Sequence, residues 1–167
     1  LTSLSIDFDC HAFGIDRGYT LEDLAALAYL TSLRTLILKD CGFYGLASLE
    51  YVSDLTSLSI DFDCDAFGGF SELALKDLAV RERLAHLTSL RTLTLKDLRD
   101  CQDYGDPKEL TRTIGPLINL TSLHLSCQRS FWVFSDESLR VLTAFTALTD
   151  LSLLETKVAS VGLNAIA

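Results

Sequence analysis

LTSLRTLILKDC, residues 30–41, places four leucines at the spacing L-x-x-L-x-x-L-x-L and ends in a cysteine. Variants of this stretch recur along the chain, and a shortened variant, LTSLSIDFDC, opens it. The other variants lie at 52–63, 87–98, 117–128 and 145–156. A unit of one short strand and one return segment cannot bury its apolar side until a neighbouring unit stacks on it. The pattern therefore predicts an α/β repeat protein with about six repeats and a parallel sheet.

Two blocks of the chain are near duplicates. LTSLSIDFDCHAFG at 1–14 returns at 55–68 with His11 changed to Asp65. LTSLRTLILKD at 30–40 returns at 87–97 with Ile37 changed to Thr94. The duplicated unit therefore contains two motif copies.

Alternation along each strand decides which side chains are buried. Strand side chains alternate with period two, so leucines two residues apart point to the same side and line the core. The residues between them must then face outward, and this row is mostly small and polar. Its members are Ser5, Ile37, Ser59, Thr94, His124 and Ser152.

The next outward position along the strands forms an end row. It consists of Asp7, Lys39, Asp61, Lys96, Ser126 and Leu154. Acid and base alternate over the first four members, on strands about 4.8 Å apart, and we expect these four to pair. In the first and third strands a slip by two residues stays open, which would replace Asp7 by Asp9 and Asp61 by Asp63. An acid would still face each lysine.

Two interpretations of the end row remain open. It is either a solvated ladder of cross-strand pairs, each contributing roughly a few tenths of a kcal/mol, or a selective surface. Alternating charge rejects a partner whose charges do not match, even where it adds little affinity.

Composition excludes several classes of partner. The chain is 49% hydrophobic with no apolar run of about eighteen residues, so we expect a core but no membrane span. A net charge of −9 and a pI near 4.6 oppose binding to a phosphate backbone, which needs clustered Lys and Arg. We therefore expect neither a nucleic acid nor a membrane as partner, but a basic or mixed-charge protein.

The chain start and the cysteines indicate whether the chain belongs to a longer protein and in which cellular compartment it lies. It has no methionine, and residue 1 already lies inside a motif copy, so we expect one domain over 1–167 belonging to a longer protein, with any targeting segment outside it. Five cysteines follow the strands without C-x-x-C spacing: Cys10, Cys41, Cys64, Cys101 and Cys127. An odd count favours buried free thiols over zinc or disulfides, and hence an intracellular, cytoplasmic location.

The sequence predicts no catalytic chemistry. Its histidines lie in different segments, without a carboxylate or cysteine at metal-site spacing: His11, His86 and His124. His124 stands between Ser122 and Ser126 on the outward row, where Asp150 of the adjacent strand would complete a Ser-His-acid set. A surface strand offers no pocket, nucleophile turn or oxyanion donors. We expect no enzymatic activity, no metal, no cofactor and no small-molecule substrate.

Helix signals lie between the strands. Thr20 with Asp23 forms a capping-box pattern at the start of a helix, and residues 71–86 read as the longest helix. Residues 42–52 are too short for more than a turn or two.

Loops of unequal length follow the strands, and such insertions often form the binding surface of repeat proteins. Residues 128–134, QRSFWVF, hold three aromatic residues, Phe131, Trp132 and Phe134, beside an arginine, and these residue types dominate interface hot spots. Residues 99–106 are the most acidic insertion. Phe131 and Phe134 are expected to fold inward, and Trp132 packs either within the chain or against a partner. The candidate partner-binding residues are Lys39, Asp61, Lys96, Tyr104, His124, Arg129, Phe131 and Trp132.

Together the copies resemble the leucine-rich repeat superfamily over essentially the whole chain. Residues 148–167, LTDLSLLETKVASVGLNAIA, resemble the cysteine-containing, ribonuclease-inhibitor-like subclass, whose repeats run LxLxxTxVxxxGLxxLA, although Ile166 stands in the place of a Leu. The copies at 30–41 and 87–98 are also similar to repeats of plant intracellular immune receptors. The resemblance implies a solenoid with a curved parallel sheet on its concave face and helices or irregular segments on its convex face.

Such resemblance implies protein recognition, although fold alone specifies no partner. We expect a non-catalytic protein-interaction or scaffold module, including use as a subunit of a larger assembly. The alternative is the substrate-receptor part of a ubiquitin ligase or the sensing part of an immune receptor, and either would need an F-box or nucleotide-binding domain elsewhere in its chain. An enzyme would require a polar cluster with perturbed ionisation around His124.

Overall fold

Six five-residue strands form one parallel sheet in the computed structural model, which describes residues 1–7, 25–39, 49, 51–62, 78–96, 113–126, 133–134, 140, 142–154 and 157–158. Their order in the sheet is their order along the chain. The strands are β1 (Ser3–Asp7), β2 (Thr35–Lys39), β3 (Ser57–Asp61), β4 (Thr92–Lys96), β5 (Ser122–Ser126) and β7 (Asp150–Leu154). Two short strands, β6 (Val133–Phe134) and β8 (Lys157–Val158), pair in a second parallel sheet. The predicted α/β class and six-stranded parallel sheet are confirmed.

The register of the sheet aligns equivalent positions of the motif copies. Leu4 lies beside Leu36, and Leu36 lies beside Leu58. This alignment excludes the two-residue slip that the sequence left open for β1 and β3. The end row has the predicted register, with the pairs Asp7–Lys39 and Asp61–Lys96.

Leucines on one side of the sheet form the core. In the four central strands β2, β3, β4 and β5, both core-facing side chains are at most 1% exposed. The equivalent residues of β1 and β7 are only partly buried, because each of these strands has a neighbour on one side of the described sheet. Each fully buried leucine contributes about 2 kcal/mol of hydrophobic free energy.

The segments before β2, β3, β4, β5 and β7 extend the core with an apolar residue at every third position. Before β2, the Leu30 N–H donates to the Leu27 carbonyl (2.9 Å), and the Leu33 N–H donates to the Leu30 carbonyl (2.8 Å). Leu27 and Leu33 are buried and Leu30 is half-buried. The same pair of bonds recurs before four further strands, starting from Leu49, Leu84, Ile114 and Leu142. The backbone hydrogen bonds join residues three positions apart, which is also the spacing of the apolar residues in these segments.

The helices differ in part from the predicted ones. In its described part, the helix expected after Thr20 is a 3₁₀ helix, Ala25–Tyr29, because three-residue bonding continues from this segment into the turns before β2. The helix predicted over 71–86 is an α-helix, α1, at Leu78–His86. Residues 20–24 and 71–77 lie outside the described residues.

A repeated hydrogen-bond arrangement connects consecutive copies just before β3, β5 and β7. Three donors meet the Arg34 carbonyl oxygen: the Thr56 N–H (2.8 Å), the Ser57 N–H (3.0 Å) and the Thr56 hydroxyl (3.2 Å). We call this arrangement the three-donor contact. Thr121 and Thr149 lead equivalent contacts, with hydroxyl distances of 3.0 Å and 3.1 Å to the carbonyl of the preceding copy.

Candidate functional site

The side of the sheet opposite the leucine core carries three rows of side chains, which we call the outer face. The middle row is the predicted outward row, in register across all six strands. The end row lies at the carboxyl ends of the strands. A starting row lies at their amino ends and consists of Ser3, Thr35, Ser57, Thr92, Ser122 and Asp150. The outer face is therefore mostly hydroxyl-bearing, with charges concentrated in the end row.

The charged part of the end row differs in one respect from the prediction. Asp61 and Lys96 are register partners, but no ion pair joins them within the described part of the chain. Asp61 is half-buried and Lys96 is exposed, as is Lys39. Surface ion pairs gain little over solvation, so these charges remain in water. The expected Asp61–Lys96 pair is wrong, and both charges are accessible to a partner.

The arginines beside β2 and β4 are held by the protein itself. Arg34 Nη1 donates to the Leu33 carbonyl (2.9 Å) and lies 4.0 Å from Asp54 Oδ2. Arg91 Nη1 donates to the Asn119 carbonyl (3.2 Å). These guanidinium groups therefore connect neighbouring segments, whereas the exposed lysines at the other end of the same two strands offer their charge to the outer face.

Three polar side chains of the outer face converge where β5 meets β7. Ser122 Oγ lies 2.7 Å from His124 Nε2 and donates to Asp150 Oδ2 at 3.0 Å. The same carboxylate oxygen lies 3.2 Å from His124 Nε2. The His124 and Asp150 side chains are 37% and 56% exposed. The sequence predicted that Ser122, His124 and Asp150 lie close together, and the structure confirms this prediction.

The geometry of this cluster does not activate the serine. In a catalytic triad the carboxylate holds Nδ1 of the imidazole while the nucleophilic hydroxyl faces Nε2. Here both partners lie at His124 Nε2. Because a carboxylate oxygen only accepts, Asp150 Oδ2 competes with His124 Nε2 for the Ser122 hydroxyl proton. The arrangement fixes the imidazole on the outer face as a cross-strand contact.

Mutation can measure the strength of this cross-strand contact. We expect a coupling free energy of about 0.5–1 kcal/mol between His124 and Asp150, as for a partly exposed cross-strand pair. A double-mutant cycle of His124→Ala and Asp150→Ala, measured by urea denaturation, gives this value. The control cycle combines Asp150→Ala with His86→Ala at the end of α1, where the two changes should be additive. An equal coupling free energy in both cycles would contradict a direct interaction between His124 and Asp150.

The remaining candidate residues lie outside the described residues: Tyr104, Arg129, Phe131, Trp132 and all five cysteines. Within the described ranges, no group of three or more His, Cys, Asp or Glu side chains is arranged to hold a metal ion. None of the described helices has the length and apolar character needed to span a membrane.

Comparison with known proteins adds no relative: no family model matches this chain, and no curated protein matches it at a significant level. The functional argument therefore depends on the motif copies and on the chemistry of the outer face.

Proposed function

We propose that this chain is a non-catalytic protein-interaction or scaffold module of the leucine-rich repeat type, a solenoid of about six repeats with the outer face on its concave side. The observation that supports this proposal most is the register of the sheet. Each motif copy contributes one strand, neighbours in sequence are neighbours in the sheet, and the leucine positions align across all six. Stacking of this kind aligns equivalent motif positions in rows along a continuous surface.

The outer face suits a protein partner of basic or mixed charge. The chain carries a net charge of −9, and the end row alternates Asp7, Lys39, Asp61 and Lys96 on successive strands. The two lysines lie two strands apart, which is roughly 9.6 Å at the usual strand spacing. A partner whose charges follow the same spacing is favoured, and one that places like charges opposite is rejected.

Two insertions extend the proposed surface. Residues 99–106 follow β4 in the sequence, and residues 128–134 follow β5. Parallel strands all end at the same edge of a sheet, so β4 and β5 both end at the edge that carries the end row before the chain enters these insertions. Tyr104 belongs to the first insertion, and Arg129, Phe131 and Trp132 belong to the second; aromatic residues and arginine are the residue types that dominate interface hot spots.

A photo-crosslinking amino acid identifies the partner without assuming its nature. Placed at Thr94 in the middle row, it should capture a protein that the same amino acid at exposed Ala26, in the 3₁₀ helix, does not capture. The captured protein is then purified, and its affinity for variants of this chain is measured.

We expect Trp132→Ala to weaken that affinity about 30-fold, as loss of an interface anchor worth roughly 2 kcal/mol would do. Lys96→Glu reverses a charge in the end row and should weaken it about tenfold. His86→Ala in α1 is the control and should have no effect. If Trp132→Ala and Lys96→Glu both leave binding unchanged while circular dichroism shows the fold intact, the surface is wrongly assigned.

The cysteine count supports an intracellular, cytoplasmic setting for this proposed module. A ubiquitin-ligase receptor or an immune sensor would use the same face and differ only in its additional domains, so the identity of the captured partner separates these alternatives.

A further inference from the structure

Three consecutive strands of the sheet end in charges of alternating sign. Lys39, Asp61 and Lys96 are the last residues of β2, β3 and β4. Each of these strands is paired with a neighbour on both sides. Within the described part of the chain, none of the three side chains forms an ion pair or a hydrogen bond. Their charges are therefore available to another molecule, and the spacing of the strands limits which kind of element can meet all three.

The spacing of these charges matches the turns of an α-helix that crosses the strands. Neighbouring strands lie about 4.8 Å apart, so the two lysines are separated by about 9.6 Å, with Asp61 between them. In an α-helix, residues i and i+7 lie about 10.5 Å apart on one side, and residues i+3 and i+4 lie about 4.5 and 6 Å from the first. The helix therefore presents about one residue to each strand, and a lysine side chain can span the remaining difference of about 1 Å.

Extended backbone conformations do not match this spacing. In a β-strand, side chains on the same side lie about 6.6 Å apart, so three of them span about 13 Å rather than about 9.6 Å. In a polyproline helix, side chains on the same side repeat after three residues, or about 9.3 Å. That repeat matches the two lysines but presents no side chain to Asp61. Of these three conformations, only the α-helix offers one residue to each of the three charges.

Short side chains beside the end row allow a helix to approach these charges closely. The middle-row residues of β3 and β4 are Ser59 and Thr94, and both are half-buried. A helix with its side chains is about 10–12 Å wide, so it covers both the middle row and the end row, which lie about 6.6 Å apart. Ile37 of β2 is the larger and apolar member of the middle row here, and it offers an aliphatic contact at one end of the crossing.

We propose that the outer face binds a single α-helix of the partner protein, which lies across β2, β3 and β4 and carries an acid at position i, a base at i+3 or i+4 and an acid at i+7. This inference rests on the proposed function as a protein-interaction module. The two acids meet Lys39 and Lys96, and the base meets Asp61. An acid followed four residues later by a base also stabilises the unbound helix, which lowers the cost of ordering it on binding.

Removal of the central charge tests the charge pattern. Asp61→Asn should weaken the affinity for the captured partner about threefold or more, because the basic residue of the helix loses its counter-charge. A partner that presents only acids would bind Asp61→Asn more tightly, since a repelling carboxylate is gone. Tighter or unchanged binding therefore contradicts the proposal. Lys39→Glu should weaken binding about tenfold. Glu82→Gln, at an exposed position of α1, changes the net charge as Asp61→Asn does and should leave the affinity unchanged. Isothermal titration calorimetry measures these affinities.

Cross-linking from three successive strands measures the conformation of the bound segment. The photo-crosslinking amino acid is placed singly at Ile37, Ser59 and Thr94, and mass spectrometry identifies the partner residue attached at each position. For a helix, the attached residues should advance by three or four per strand, and by about six or seven from the first position to the last.

The other outcomes of this experiment separate the two proposals. An extended segment advances by only one or two residues per strand, about three in all. That result, or attachment to separate segments of the partner, would overturn the helix and leave the protein-interaction function intact. If none of the three positions captures a protein, the proposed function and the helix both fall.

Discussion

Leu58→Ala is expected to lower the free energy of unfolding by about 3–5 kcal/mol. The Leu58 side chain is 0% exposed and lies beside Leu36 on one side and Leu93 on the other. Truncation removes buried methyl groups and leaves a cavity at the centre of the leucine core, which neighbouring strands held by register cannot close. Equilibrium urea denaturation followed by circular dichroism measures the change.

Leu4→Ala is the matched control, because residues 1–10 and 55–64 are identical in sequence. Leu4 is partly buried in edge strand β1, so its truncation should cost about 1–2 kcal/mol. The difference between the two variants isolates the effect of a second neighbouring strand. Equal destabilisation by the two truncations would contradict the sheet order described above.

Ser59→Pro is expected to destabilise the protein by about 3 kcal/mol or more, sufficient to unfold a marginally stable domain. Ser59 lies in β3 beside Ile37 of β2. Because the Ser57 N–H donates toward β2, alternation directs the Ser59 N–H to the same neighbour. Proline removes this donor, leaves a carbonyl of β2 without its partner inside the sheet, and introduces a ring between two paired strands.

The controls for Ser59→Pro use the same amino-acid change in the duplicate strand. Ser5→Pro in β1 places the ring on the side of β1 that pairs with no other described strand, and it should change the free energy of unfolding by less than about 1 kcal/mol. Ser59→Ala, which keeps the N–H, should also be nearly neutral. Thermal unfolding separates the three variants, and a Ser59→Pro protein as stable as Ser5→Pro would show that β2 does not cover β3.

Leucine spacing predicted much of the sheet because it determines both burial and register. Leu36 and Leu38 are buried, whereas the alternate residues of β2 are half-buried (Thr35 and Ile37) or exposed (Lys39), so β2 has one buried side. Stacking identical motif copies then aligns equivalent leucines, since any other register would expose them. The same logic predicted the middle row of the outer face and the neighbourhood of His124 and Asp150.

Other features depend on contacts that spacing does not encode. The three-donor contact needs a threonine hydroxyl to reach the carbonyl of the preceding copy, and threonine is frequent at many surface positions where no such acceptor exists. Capping signals predicted a helix after Thr20, but leucines three apart favour the tighter turns observed before β2. The balance between solvation and pairing left Asp61 and Lys96 apart despite their register.

The near-duplicate blocks of this chain indicate how a protein of this kind gains repeats during evolution. The interface between β2 and β3 joins nearly the same two sequences that would meet if β4 were followed by another LTSLSIDFDC strand. The interface of β1 with β2 repeats in that of β3 with β4, apart from the change of Ile37 to Thr94. Insertion of one two-strand unit by recombination would therefore create junctions that closely match existing ones. Each such event would widen the surface available for recognition by roughly 10 Å without a new core having to evolve.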